Sequence, residues 1–251
     1  MNVRARKIVA IGGGDIGALE TLPIDREVVR LTGTARPRAL FIPTASSDDA
    51  EGWRRAGFER AYGVELGCET DVLYLLGTSP SRRELEDRVL SSDLVYVGGG
   101  NTLKLMRRWR RLELDQVLEE AHRRGIVLSG LSAGAICWFS HGHSDSMSFY
   151  HPEDWNYIRV RGMGLVDALG VTHYHAEGRE ADFQRMVARG GQTGIAIDNN
   201  CALEFIDDTY RVITSRDEAR AYRVFRRGGE VVTERIEQSE ELRPVAELLG
   251  A

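Results

Sequence analysis

The chain has 251 residues, of which 42% are hydrophobic, and it carries a formal net charge of −5. A chain of this length can bury one large core, and we expect residues 1–251 to form a single α/β domain. The negative charge argues against nucleic acid as a partner. The three cysteines, Cys68, Cys137 and Cys201, are widely spaced and match neither a disulfide framework nor a zinc pattern, which favours a reducing cytoplasm.

The apolar runs of the sequence are short. The run that follows Lys7 is too short for a signal peptide. No other run approaches the length that a membrane-spanning helix requires. We therefore expect a cytoplasmic protein that makes no membrane contact.

Strand and helix patterns alternate along the first 140 residues. Apolar, β-branched runs predict strands at residues 7–11, 39–42, 71–76, 94–97 and 125–129. Helical periodicity, with a capping box at Ser81, predicts helices at residues 49–62, 81–90, 103–109 and 115–124. This alternation is typical of an α/β fold with a doubly wound, mainly parallel sheet flanked by helices.

The pattern changes after residue 140. Residues 140–156 are polar and rich in histidine and serine, and we expect them to form a loop over the functional site. Antiparallel strands are predicted at residues 203–213 and 219–236, the latter with a turn at Gly228-Gly229. A strand is predicted at residues 194–197, and helices are predicted at residues 179–189 and 239–249. The C-terminal part is therefore expected to be an antiparallel extension.

Small-residue turns follow several of the predicted strands. These turns are residues 12–17, residues 43–47, residues 98–102 and the turn at Ser132. Ligands bind at the carboxyl ends of the strands in such sheets, so we expect the four turns to share one edge. Residues 12–17 formally contain G-x-G-x-x-G, but no acidic residue follows at the spacing that a ribose needs. A tight turn is favoured over a dinucleotide site, and no cofactor is expected.

Ser132 lies in the segment Gly130-Leu131-Ser132-Ala133-Gly134, between a predicted strand and a predicted helix at residues 133–139. This pattern is typical of a nucleophile elbow, in which a sharp turn exposes the hydroxyl group and the helix directs N–H groups at a developing oxyanion. The short motif by itself is also compatible with a tight turn that carries an inactive serine.

A serine nucleophile needs a base, and histidine is abundant after the elbow. Five of the six histidines fall within 35 residues: His141, His143, His151, His173 and His175. Two His-x-His pairs raise the alternative of a zinc site, but no cysteine or carboxylate completes a typical ligand pattern, so no metal is expected. His173 is the favoured base because it ends a predicted extended segment near the sheet edge, and His175 is second.

Four segments together resemble a known family. They are Val-Tyr-Val-Gly-Gly-Gly-Asn-Thr at 95–102, Gly-Leu-Ser-Ala-Gly-Ala at 130–135, Thr-His-Tyr at 172–174 and Gly-Ile-Ala-Ile-Asp at 194–198. In this order they resemble the peptidase E group, which comprises aspartyl dipeptidases and cyanophycinases. These are serine hydrolases whose fold is related to class I glutamine amidotransferases. The resemblance covers roughly residues 7 to 206.

The resemblance implies a role for each residue that matches the family's motifs. It implies Ser132 as the nucleophile and His173 as the general base. It also implies an oxyanion hole formed by the backbone N–H groups of Gly99 and Ala133. Substrate binding is assigned in the same way to Gly100, Asn101 and Arg179.

The third catalytic residue departs from the family pattern. The glutamate of the family falls on Asn199 in this chain, directly after Asp198. Adjacent residues of a strand face opposite sides, so only one of the two can point at His173. We expect Asp198 to orient His173, because a carboxylate stabilises an imidazolium better than an amide does. Asn199 is the alternative, and Glu204 is the next candidate.

These residues predict a serine peptidase that hydrolyses dipeptides or short peptides, with an N-terminal aspartate as one option. A cyanophycinase-like exopeptidase and a non-catalytic protein that binds small molecules are the alternatives. An amidotransferase activity is disfavoured, because its nucleophile at the elbow is cysteine. A small peptide is the expected partner, and a homodimer stays open.

Overall fold

The computed structural model describes residues 4–46 and 57–250. In chain order the strands are β1 (Lys7–Ile11), β2 (Arg38–Ile42), β3 (Glu69–Val72), β4 (Leu94–Val97), β5 (Val127–Leu131), β6 (Phe139–Ser144), β7 (Ile158–Arg161), β8 (Val166–Thr172), β9 (Gly194–Ile197), β10 (Cys201–Ile206), β11 (Thr209–Thr214), β12 (Ala221–Arg227), β13 (Glu230–Ile236) and β14 (Arg243–Pro244). The helices are α1 (Leu22–Arg30), α2 (Arg82–Leu90), α3 (Thr102–Leu112), α4 (Leu114–Arg123), α5 (Ala133–Ile136), α6 (Arg179–Gly190) and α7 (Val245–Leu249), with a π-helical segment at Glu59–Glu65 and a 3₁₀ turn at Ser146–Phe149.

The larger sheet has a parallel centre, as the alternation of strands and helices predicted. Its strand order is β14-β11-β10-β1-β5-β4-β2-β3. The five neighbouring strands β1, β5, β4, β2 and β3 are parallel. The strands β10, β11 and β14 extend it in antiparallel fashion beyond β1. The expected fold class is confirmed. The carboxyl ends of β1, β2, β4 and β5 meet at one edge of this sheet, where the small-residue turns and Ser132 follow.

A second sheet has six strands in the order β13-β12-β9-β8-β6-β7. Its strand β6 covers the first five residues of the loop that the sequence predicted at residues 140–156, so that expectation is wrong there, whereas residues 150–156 form neither helix nor strand. The polar composition of β6 concealed the strand, because the side chains of His143 and Ser144 are buried and each makes a hydrogen bond. His143 Nε2 lies 2.9 Å from Asp182 Oδ1, and the hydroxyl groups of Ser144 and Ser146 lie 2.7 Å apart. Buried polar groups of this kind are tolerated when they are hydrogen-bonded.

The other helix predictions are confirmed in part. Helices α2, α3, α4 and α6 are present, and Ser81 forms the predicted capping box with Glu84. Residues 49–56 of the first predicted helix lie outside the described residues. The predicted C-terminal helix begins only at Val245, because Arg243–Pro244 pairs with β11. No helix within residues 4–46 and 57–250 is long and apolar enough to cross a membrane.

A buried carboxyl group lies beneath an aromatic cluster on one face of the larger sheet. The rings of Phe58 and Tyr62 stack with centroids 4.7 Å apart. Tyr62 donates a hydrogen bond of 2.8 Å to Asp25 in α1, and Thr21 donates a second one of 2.8 Å. Burial raises the pKa of Asp25 to about 7, although these two hydrogen bonds act in the opposite direction.

This buried carboxyl group predicts a pH-dependent stability. Between its unfolded pKa and about 7, Asp25 ionises in the unfolded chain but not in the folded protein, so stability falls as pH rises. The Asp25→Asn variant lacks this ionisation. From pH 5 to pH 8, the free energy of unfolding of the wild type should therefore fall relative to that of the variant by roughly 2 to 3 kcal/mol. Urea unfolding of both proteins at the two pH values measures this difference, and parallel pH dependences would contradict the prediction.

Candidate active site

Ser132 occupies a strained turn between β5 and the single turn of α5. Its backbone has φ 56° and ψ −114°, a conformation that costs a non-glycine residue on the order of 1–3 kcal/mol. The turn is held by the Ser132 N–H, which donates to Ile11 O at 2.9 Å. A Cβ atom at Gly134 would lie 2.1 Å from Val97 O, so this glycine is required for the close approach of the turn to β4. The geometry is that of a nucleophile elbow.

The helix after Ser132 is shorter than predicted. It covers only Ala133–Ile136, so the predicted continuation to residue 139 is wrong. Cys137 and Trp138 instead lead the chain into β6, and their carbonyl groups accept hydrogen bonds from the backbone N–H groups of Met163 and Leu165. Any stabilisation of an oxyanion therefore depends on individual N–H groups near Ser132 and not on a long helix.

His173 lies beside Ser132, at the predicted distance for a hydrogen bond. Its Nε2 atom is 2.9 Å from Ser132 Oγ. The two residues come from different sheets, because Ser132 follows β5 and His173 follows β8. His175 points elsewhere, with its Nε2 atom 3.0 Å from the hydroxyl group of Tyr222.

Asn199 contacts His173, and Asp198 does not. Asn199 Oδ1 lies 2.5 Å from His173 Nδ1. Asp198 instead accepts a hydrogen bond from the backbone of Arg220 at 3.2 Å, and its other oxygen lies 3.5 Å from His175. The expected contact of Asp198 with His173 is therefore wrong.

The reason is the path of the chain after β9. The Asp198 N–H still donates to Arg220 O, so Asp198 remains held beside β12, whereas Asn199 lies in the turn that follows and faces the elbow. Glu204, the third candidate, lies on β10 and forms an ion pair of 2.9 Å with Arg211.

The contacts of His173 fit one neutral tautomer of the imidazole. In it Nδ1 donates its hydrogen to the Asn199 amide oxygen, and Nε2 accepts from the Ser132 hydroxyl. Burial lowers the pKa of His173, and the hydrogen bond to Asn199 opposes this shift less strongly. The ring is thus kept neutral and able to take a proton from Ser132.

The glycine turn after β1 packs directly on the histidine–asparagine pair. A Cβ atom at Gly13 would lie 2.0 Å from Asn199 Oδ1 and 2.5 Å from His173 Nδ1. The Gly13 carbonyl also accepts a hydrogen bond of 2.9 Å from Asn200 N. The sequence predicted a tight turn here but missed this contact. One signal was available in the sequence: these glycines directly follow β1. This strand lies beside β5, which Ser132 follows.

The second glycine loop lies on the other side of Ser132. A Cβ atom at Gly99 would lie 3.2 Å from Ser132 Cβ, so the backbone of Gly99 packs against the nucleophile elbow. Ala133, the other residue expected to form the oxyanion hole, is the first residue of α5. Gly100 has φ 136°, and a Cβ atom there would lie 2.5 Å from Ala45 O, so the loop requires glycine at this position.

Two residues expected to bind substrate contact other protein groups. The Asn101 side chain caps α3 by accepting from Lys104 N at 2.9 Å. Arg179 is only 6% exposed, and its Nη2 atom lies 2.6 Å from Asp145 Oδ2. Neither side chain lines the cavity beside Ser132. Their substrate contacts are therefore not supported, because a buried guanidinium group and a buried amide group are held by partners within the protein.

A cavity of about 350 Å³ opens beside Ser132 and His173. Its lining consists of glycine loops, apolar side chains and one carboxylate: Gly14, residues 98–100, Ile16, Phe41, Phe58, Tyr96, Leu131 and Asp15. A size of this order is typical of sites for small ligands.

The sequence model of peptidase family S51 matches residues 8–213. The chain belongs to peptidase family S51. This family consists of serine peptidases, so the chain is a serine-type peptidase. The match includes Ser132, His173 and Asn199, the three residues that the fold brings together.

Three proteins named as peptidases resemble this chain over most of their length. The uncharacterized peptidase YgaJ of Bacillus subtilis (strain 168) is 34% identical over 223 residues, which is 87% of this chain and 92% of the relative. A crystal structure of a peptidase from an acI-B1 actinobacterium has a TM-score of 0.71 at 19% identity and covers 96% of this chain and 97% of its own. The crystal structure of a putative peptidase E protein from Listeria monocytogenes EGD-e has a TM-score of 0.58 at 21% identity. The match covers 93% of this chain and 100% of the Listeria chain. These two structures have the same fold.

Proposed function

We propose that this S51 peptidase hydrolyses dipeptides or short peptides with a catalytic set of Ser132, His173 and Asn199. The observation that carries the proposal is the chain of two contacts through His173, at 2.9 Å to Ser132 and 2.5 Å to Asn199. A nucleophile, a base and a group that orients the base are the elements of serine peptidase catalysis.

In the acylation step, Ser132 Oγ attacks the scissile carbonyl carbon while His173 Nε2 takes the hydroxyl proton. The carbonyl oxygen gains negative charge, and the N–H groups of Gly99 and Ala133 stabilise it. The C–N bond then breaks as the imidazolium group donates its proton to the leaving amine. Water attacks the acyl-enzyme with His173 again as the base, which releases the carboxylic acid and restores Ser132.

Asn199 fixes the tautomer of His173 but adds no charge. An amide oxygen accepts the Nδ1 hydrogen as a carboxylate would, yet it stabilises the imidazolium only weakly. The lowered pKa of His173 fits this neutral partner, because the group in contact with Nδ1 is an amide and burial outweighs its effect on the pKa. The enzyme therefore works with a weak but correctly oriented base.

An N-terminal aspartate has little support as the preferred substrate residue. Its carboxylate needs a cation, and no lysine or arginine is among the described residues that line the cavity. Arg179, the expected cation, is already paired with Asp145. We therefore propose short peptides as the substrate class without a requirement for aspartate.

The test of the proposed function is covalent labelling. A fluorophosphonate probe reacts with activated serines, and we expect it to modify the native protein at Ser132, as mapped by mass spectrometry. Heat-denatured protein is the control. Absence of labelling at Ser132, or labelling at another serine at the same rate, would overturn the proposal.

Exchanging the partner of His173 should change the pH profile. In the Asn199→Asp variant a carboxylate replaces the amide, and it should raise the pKa of His173 by favouring the imidazolium. The acid limb of the kcat/KM profile should move to higher pH, and kcat at pH 8 should rise by about tenfold or more. Asp198→Asn is the matched control and should leave the acid limb in place, because Asp198 does not contact His173. If the acid limb moves in Asp198→Asn but stays in place in Asn199→Asp, Asp198 is the residue that orients His173.

A further inference from the structure

The inner wall of the active-site cavity is apolar and largely aromatic. Phe41 and Phe58 stack with ring centroids 4.8 Å apart, and the Tyr96 ring lies 5.7 Å from that of Phe58. Each of these three side chains is at most 3% exposed, so the wall is part of the packed core and is fixed in place. Ile16 and Leu131, which are half-buried, also belong to the apolar lining.

This wall lies beside the loop to which the proposed mechanism assigns the carbonyl oxygen. The leaving amine must approach His173 Nε2, which gives it a proton, whereas the carbonyl oxygen must approach Gly99. The apolar wall adjoins the loop that contains Gly99, because a Cβ atom at Gly98 would lie 3.2 Å from Phe41 Cε2. From this adjacency we infer that the side chain of the residue whose carbonyl is attacked faces the apolar lining.

The charges at the cavity also favour an apolar side chain over an acidic one. Among its described lining residues the one carboxylate is Asp15, whose Oδ1 atom accepts hydrogen bonds from the backbone of Gly17 at 2.8 Å and Ala18 at 3.1 Å. An acidic substrate side chain would lose its hydration against the rings and would be repelled by Asp15. An apolar side chain has no charge to desolvate, and burial of its surface favours binding.

We propose that the cavity is a specificity pocket for an apolar or aromatic side chain on the acyl-side residue of a short peptide. The substrate class is thus a dipeptide or short peptide that begins with a residue such as Phe, Leu or Met. This inference rests on the proposed function, because it assigns the pocket of the same Ser132 site.

The experiment is competition within a pool of Xaa-Leu dipeptides, followed by mass spectrometry. We expect Phe-Leu, Leu-Leu and Met-Leu to be hydrolysed about 10- to 100-fold faster than Asp-Leu and Glu-Leu. A pool of Leu-Xaa dipeptides should show a much smaller spread, because its second residue lies on the leaving side. Equal or faster hydrolysis of the acidic members, or a larger spread in the second pool, would overturn the inference.

A charge placed in the pocket provides a matched test. Ile16→Arg introduces a cation at the half-buried lining position and should raise the rate for Asp-Leu relative to Phe-Leu by about tenfold or more. Val64→Arg makes the same change in charge at a side chain that is 77% exposed and outside the lining, and it should keep the wild-type ratio. Thermal unfolding of both variants verifies that they are folded. An unchanged ratio in Ile16→Arg would contradict the assignment.

A binding readout separates failure of this inference from failure of the proposed function. Boronic acid analogues of phenylalanine and of aspartate should differ in how well they protect Ser132 from the fluorophosphonate probe, with the phenylalanine analogue at least about tenfold more potent. If Ser132 is labelled but the aspartate analogue protects as well or better, or neither protects, only the pocket assignment fails. If Ser132 is not labelled at all, the proposed function itself fails.

Discussion

Replacing Ser132 by alanine is expected to lower kcat/KM for dipeptide hydrolysis by roughly 10⁴-fold or more. The change removes the hydroxyl group that lies 2.9 Å from His173 Nε2, so we expect no acyl-enzyme to form. The fold should persist, because the elbow is held by backbone contacts such as the bond from Ser132 N to Ile11 O.

The measurement is initial-rate kinetics, together with thermal unfolding. Ser91→Ala removes an exposed hydroxyl at the end of α2 and is the matched control, with activity close to that of the wild type. A folded Ser132→Ala enzyme with turnover within tenfold of the wild type would show that another residue is the nucleophile.

Replacing Gly13 by alanine is expected to lower kcat by roughly 10²- to 10³-fold, although Gly13 touches no reacting atom. The new methyl group would lie 2.0 Å from Asn199 Oδ1 and 2.5 Å from His173, so both side chains must move. A displacement of about 1 Å can cost 10²-fold in rate, because proton transfer depends on the alignment of the base. We therefore expect Gly13 to act as a positioning residue.

Gly63→Ala is the matched control for this prediction. Its methyl group would lie 3.4 Å from Thr70 Cγ2, an ordinary contact, and Gly63 lies in the π-helical segment away from Ser132. The readout is the fluorophosphonate labelling rate at Ser132 alongside kcat, since a displaced His173 slows both. Labelling rates of Gly13→Ala and Gly63→Ala that agree within about threefold would refute the positioning role.

The amino-acid sequence by itself determined the parallel strands of the larger sheet and the turns at their carboxyl ends. Buried parallel strands are continuous apolar runs, so β1, β2, β4 and β5 are visible in the sequence without any knowledge of their neighbours. The elbow at Ser132 was predictable for a similar reason, because a sharp turn between a strand and a helix requires small residues on both sides. Such features depend on local backbone preferences and on the periodicity of apolar residues.

Only the tertiary structure decided which residues surround His173. Asp198 and Asn199 are adjacent, and their order in the chain does not reveal which of them the turn after β9 directs at the imidazole. The partner of Arg179 was equally hidden in the sequence, because Asp145 lies 34 residues earlier, directly after strand β6 of the second sheet. The first contact depends on the turn after β9, the neighbour of β8 in the second sheet, and the second depends on where α6 lies relative to the end of β6. A one-residue change in register at a strand end exchanges the side chains that face the site, and packing of distant segments settles that register.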